Sequence, residues 1–259
     1  MDAMNFDPAT RQDSPTTPPH IGVTRQGSPP LSTIDAHGKP TRDVNQELKT
    51  LIAKGSREIE VLNPGSRHNL AVGILEPARI VFRGDVGYFC GGLSEGLDLE
   101  IEGDAGWSLG ADMMSGRILV HGNSGSSTAP SIRGGFVVVR GDAGARTGIA
   151  NKGGTIVIGG STGYMSGFMA QKSRIVVCGD AADAFGDSMY LAELFCGGEI
   201  RSLGSDTILE EPSEGDLAWL SETLDPFGLG PKREWKKVRS AGKLWRYDKK
   251  EFAIWKEAL

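Results

Sequence analysis

The chain has 259 residues, a formal net charge of −5, and 24% charged and 39% apolar residues. That length can bury a sizeable core, and the acidic balance gives no global attraction for nucleic acid or an anionic membrane. Its 37 glycines are about twice the usual ~7% but follow no G-X-Y period, which excludes collagen. No apolar run approaches the ~20 residues of a membrane span and no apolar signal core opens the chain, so the reading is a soluble, cytoplasmic protein.

Residues 1–42 open with a stretch rich in Pro, Ser and Thr that offers few large apolar groups. Such a segment cannot offset its ordering entropy by burial, so a flexible N-terminal arm is expected. "TRDVNQELKTLIAKG" then predicts a short helix, with Val44, Leu48, Leu51 and Ile52 at helical spacing and Gly55 as its stop. "REIEVLNPGSRHNLAVGIL" reads as a strand and turn, a degenerate first unit that caps a repeat array.

From residue 43 to 205 a repeat governs the chain. Gly84, Gly103, Gly122, Gly141, Gly160, Gly179 and Gly198 lie 19 residues apart. Each is followed by a small or acidic turn-former, from Asp85 to Glu199, and most by further Gly or Ala at three and seven residues. Before each glycine, the columns Ile80 to Leu194 and Phe82 to Cys196 are apolar throughout and line one interior. Arg83, Glu102, His121 and Arg140 form an outward polar column, in which His121 reads as a ladder member and not as a catalytic base. Val81, Glu100, Leu119, Val138, Val157, Val176 and Phe195 form a second outward column that is apolar apart from Glu100. Such a stripe implies a cover, from another segment of this chain or from another subunit. On the second alternative Val81, Leu119, Val138, Val157, Val176 and Phe195 are a partner interface.

A 19-residue unit is too short for helix pairs and fits one coil of a parallel β-helix. The glycines then serve turns that need positive φ or close backbone approach. They match neither a dinucleotide fingerprint nor a P-loop, and equal copies argue for structure over one phosphate site. Cys90, Cys178 and Cys196 form no zinc or iron–sulfur spacing and read as free buried thiols. Residues 206–259 hold four of the five tryptophans, Trp219, Trp235, Trp245 and Trp255, among many bases. They read as a basic, aromatic tail, with a helix in "SEGDLAWLSETL", that plates the end or side of the coils rather than binding nucleic acid.

The motifs "DVNQEL", "VLNPGSRHNLAVGI", "GYFCGGL", "ADMMSG", "GFMAQ" and "GDSMY", set in this repeat, resemble the glycine-repeat (GXGXG) β-helix of glutamate synthase. That domain ends the glutamate synthase large subunit, recurs as the C subunit of formylmethanofuran dehydrogenase, and stands alone in methylamine–glutamate N-methyltransferase (N-methylglutamate synthase), which the motifs resemble most. The resemblance implies an all-β, right-handed parallel β-helix (solenoid) and a non-catalytic scaffold subunit, with no catalytic, cofactor-binding or metal residue in this chain. It implies FMN and an iron–sulfur cluster in a partner subunit, and a hetero-oligomer with an amidotransferase-like subunit and an FMN-binding synthase-like subunit. The partners include neither nucleic acid nor membrane, and the Met and aromatic turns "ADMMSG" and "GYMSGFMAQ" join the docking surface. The alternatives are a formylmethanofuran dehydrogenase subunit and a stand-alone β-helix enzyme acting on a carbohydrate or acyl substrate.

Overall fold

The computed structural model describes residues 31–230 and 234–243. Most of the expected arm, and the tail residues that include Trp245 and Trp255, lie outside the described residues. The elements are β1 (Ser32–Asp35), α1 (Thr41–Ala53), β2 (Glu58–Leu62), β3 (Ala78–Arg83), β4 (Leu97–Ile101), β5 (Gly116–Val120) and β6 (Phe136–Val139). Next come β7 (Thr155–Ile158), β8 (Arg174–Val177), β9 (Glu193–Cys196), β10 (Thr207–Glu210), α2 (Glu214–Leu224) and β11 (Lys236–Ser240). The strands form one sheet in the order β1 to β9, then β11 and β10.

Strands β3 to β9 stack in parallel with the register the repeat demands: Ile80 pairs with Leu99, Leu99 with Ile118, and so on to Ile175 with Leu194. A second line of parallel bridges joins Val86, Ala105, Ser124, Ala143, Thr162, Ala181 and Ile200. The chain is therefore a parallel β-helix whose interior is filled by the two apolar columns, from Ile80 to Leu194 and from Phe82 to Cys196, all fully buried. Each such Ile, Leu or Val contributes about 1.5–3 kcal/mol by burial. The opening coil is two residues longer, since Ile59 pairs with Ile80.

Both ends of the stack are closed. Helix α1 sets Val44, Leu48 and Ile52 into the same core, and left-handed Gly55 (φ 96°) ends it as expected. The expected arm is corrected at its inner end: Ser32–Asp35 form β1, in parallel register on β2 with Ile34 fully buried. The open edge of β2 supplies backbone partners that a short alternating segment can use. At the other end β11 runs antiparallel between β9 and β10, ending the parallel stack that would otherwise template further strands.

Candidate functional site

The outward apolar column is covered by this chain itself. Leu119, Val138, Val157, Val176 and Phe195 form a second core with Phe136 and Cys178, under Leu220, Leu224 and Phe227 of the segment after the stack. Val138, Val157, Val176 and Phe195 are completely buried. Phe227 stacks on Phe136 with centroids 5.7 Å apart, and Trp219 lies 5.6 Å from Phe195. This corrects the reading of these residues as a partner interface: helix α2 and the turn after it bury them first. Only Val81, beyond the reach of α2, stays half-exposed. The tail thus plates the side of the coils, as the first of the two alternatives held.

A charged lock holds this strap. Ser213 caps α2 in a reciprocal box with Asp216, and the Asp216 carboxylate accepts the Lys237 ammonium of β11 at 3.0 Å. The same ammonium donates to Glu193 of β9 at 2.6 Å, with only 12% of the lysine side chain exposed. Burial pushes the Asp216 carboxyl up, but hydrogen bonds from Ser213 and Lys237 outweigh it and hold the group below the usual carboxylate range. Burial likewise depresses Lys237, but its bonds to Glu193 and Asp216 win and its pKa is raised. Arg174 completes the seam, bonded to Glu193 at 2.9 Å and set 4.4 Å over the Trp219 ring.

Away from the strap, the outward polar residues of the first coils pair with one another. Arg83 pairs with both Glu60 and Glu102, Arg79 with Glu100 at 2.7 Å, and His121 Nε2 lies 2.8 Å from the same Glu100. His121 is therefore a ladder member. Burial pushes the Glu100 carboxyl up, and the bonds from His121 and Arg79 bring it below its ordinary value.

The residue after each repeat glycine builds a ladder of another kind. Asp104 N–H donates to Asp85 Oδ1 at 2.8 Å, Asn123 N–H to Asp104 Oδ1 at 2.6 Å, and Asp142 N–H to Asn123 Oδ1 at 2.9 Å. The series continues through Ser161, Asp180 and Glu199. These side chains, read from sequence as local turn-formers, bond the next coil. They also explain the glycine column. A Cβ on Gly103, Gly122, Gly141, Gly160, Gly179 or Gly198 would collide with the ladder oxygen below it, and among the seven only Gly84 has a positive φ. The position seven residues on is the left-handed one, as at Gly148 (φ 69°).

Sequence reasoning missed two further left-handed places per coil, five and nine residues after the glycine. They hold ordinary residues such as Arg146, Met165, Ala150 and Met169, each at φ 54–60°. No composition signal marks them, because bonds between coils impose the conformation: Arg146 N–H donates to Tyr164 O, and Ala150 N–H to Phe168 O.

No model of a known protein family matches the chain. Over 222 residues it is 46% identical to protein GlxC of Rhizobium meliloti (strain 1021), covering 84% of this chain and 97% of that protein. The chain belongs to the GlxC family.

In this GlxC-family chain the Met and aromatic turns divide between core and surface. Met113 is buried with the interior, whereas Met114, Tyr164 and Met169 are 41–48% exposed. Cys90, Cys178 and Cys196 are buried and form no disulfide, as read from the sequence. Burial pushes the thiols of Cys90 and Cys196 up, away from the thiolate form that nucleophiles and metal ligands need. No helix among the described residues is long and apolar enough to cross a membrane.

Proposed function

We propose that this GlxC-family chain is a non-catalytic scaffold subunit of a glutamate synthase-like enzyme complex. The finer reading is methylamine–glutamate N-methyltransferase, which forms N-methylglutamate from methylamine and glutamate. In that assembly FMN and the iron–sulfur cluster belong to an FMN-binding synthase-like subunit, and an amidotransferase-like subunit completes the hetero-oligomer. One observation carries the reading: the coil architecture spends on its own contacts the acidic column, the histidine and the thiols that the sequence offers as candidates. The acidic column after the glycines bonds the next coil, His121 and Glu100 bond each other, and the thiols are buried. The motif resemblance supplies the identity of the complex.

The test is N-methylglutamate formation from methylamine and glutamate, in extracts of the native host with and without this chain. Deletion abolishes the activity, and added purified chain restores it. Turnover by the purified chain alone contradicts the scaffold role.

A further inference from the structure

The chain is acidic overall, yet its middle is basic. Between Ser124 and Gly179 stand Arg133, Arg140, Arg146, Lys152, Lys172 and Arg174 against a single acid, Asp142. The structure gathers four of these on one face. Arg133 and Lys152 occupy the same place in successive coils, Lys172 stands beside that place in the next coil, and Arg146 lies at the opposite edge of the turn. All four are exposed and none forms an ion pair among the described residues; on the strand face Arg79, Arg83, Arg117 and Arg174 do, and Arg140 does not.

Between these cations runs an apolar crest. Ile149 and Phe168 share one place in adjacent coils and are half-buried, and beside Phe168 stands Met169, 41% exposed. The equivalent place holds Gly92, Ala111 and Pro130 in earlier coils and Asp187 in the next, so the crest is confined to two coils. Its backbone is fixed by bonds between coils, so little conformational entropy is lost when a partner sits on it. An apolar, Met- and Phe-bearing centre inside a rim of unpaired cations is the composition of a protein interface.

We infer that this face docks a protein subunit whose own surface presents carboxylates around an apolar centre. Opposite charge steers and registers such a pair, and the unpaired cations gain their partners there. An RNA partner fits less well, because single strands bind through exposed aromatic faces on which bases stack, and here the centre is Ile, Met and a half-buried Phe. The inference rests on the subunit role proposed above and adds which face meets the partner.

The experiment purifies the tagged full chain gently from its native host in four forms: wild type, Lys152→Glu with Lys172→Glu, Met169→Asp, and Lys49→Glu of α1 with Lys54→Glu at its C-terminal cap as a remote control. Co-purifying polypeptides are identified by mass spectrometry, flavin absorbance per chain is recorded, and circular dichroism confirms that each form is folded. Wild type and the α1 control bring the flavin-binding or amidotransferase-like subunit in fixed ratio. The two face variants lose it by roughly tenfold or more, as broken interfacial charge pairs and a charge in an apolar contact require, and raised salt weakens the wild-type pair. Full retention by the folded face variants overturns this inference and leaves the subunit role standing. Wild type that brings no partner overturns the subunit role and the inference with it. Wild type that brings RNA in place of protein overturns the protein assignment of the face.

Discussion

Asp142 Oδ1 accepts the Ser161 N–H at 2.7 Å and sits where a side chain on Gly160 would have to go. One oxygen thus both joins two coils and forbids a Cβ at the neighbouring glycine. Gly160→Ala should lower stability by about 1–3 kcal/mol, since an added methyl in a packed site forces backbone to move. Gly215→Ala, at an open position near the start of α2, should be neutral or slightly stabilising. Equal thermal melts for the two variants would contradict this account of the repeat.

The ladder needs an acceptor and not a charge, because Asn123 serves in it as well as its aspartate neighbours. Asp142→Asn should therefore melt close to wild type, and Asp142→Ala should cost about 1 kcal/mol. A large loss in Asp142→Asn would show that the carboxylate charge matters.

Val157 lies at the centre of the strap-covered core. Val157→Asp should destabilise by about 3 kcal/mol or more, because the carboxylate is buried with no partner of its own. Trp219, packed over Phe195, should report the loosened strap by a red-shifted emission. A stable variant with unchanged emission would mean that the strap does not cover this column in solution.

The Asp216–Lys237 lock predicts a window of pH. Asp216 is depressed, so its contribution is complete above the ordinary aspartate value of about 3.9 and is lost as pH falls through its lowered pKa. Lys237 is raised, so its contribution is complete below about 10.4 and is lost as pH rises through its raised pKa. Strap stability followed by Trp emission should be flat across neutral pH and fall at both extremes. Lys237→Met should flatten the alkaline fall, and an unchanged fall would assign it elsewhere.

Ser124 pairs with Thr128 at 2.6 Å and Thr162 with Ser166 at 2.7 Å, but the Asn151 amide, like the buried Ser173 and Thr223 hydroxyls, has no partner, and it lacks one at both polar atoms. The equivalent residues in other coils are Met113, Ile132, Ala170 and Met189, and in the coil of β3 Ser94, whose hydroxyl is satisfied by Gly91 O. Asn151→Met should raise stability by about 1 kcal/mol by removing an unsatisfied amide. A lower melting temperature would show that the amide is satisfied.

The coils were legible because stacking forces every unit to repeat the same contacts: the glycine period, both interior columns, the pairing of Arg83 with Glu102 and α1 all stand as the residues indicated. The strap was legible as a helical, Trp-bearing tail that plates the coils, but the column it covers was not, since its anchors Trp219, Leu220, Leu224 and Phe227 share no period with the coils. One signal was available. The column that begins Arg83, Glu102, His121 and Arg140 turns to Gly159, Cys178 and Gly197 in the later coils, and Cys178 and Gly159 lie against Leu229 beside the strap. Strand β11 left no such trace, because antiparallel insertion between β9 and β10 is a nonlocal pairing.

The most direct test of the central claim is a gentle purification of the tagged chain from its native host, with mass spectrometry and a visible spectrum of the eluate. The scaffold account predicts amidotransferase-like and flavin-binding subunits in fixed ratio with the chain, and a flavin absorption band. A colourless single polypeptide, stable in gentle salt and able to turn over a substrate by itself, would contradict it.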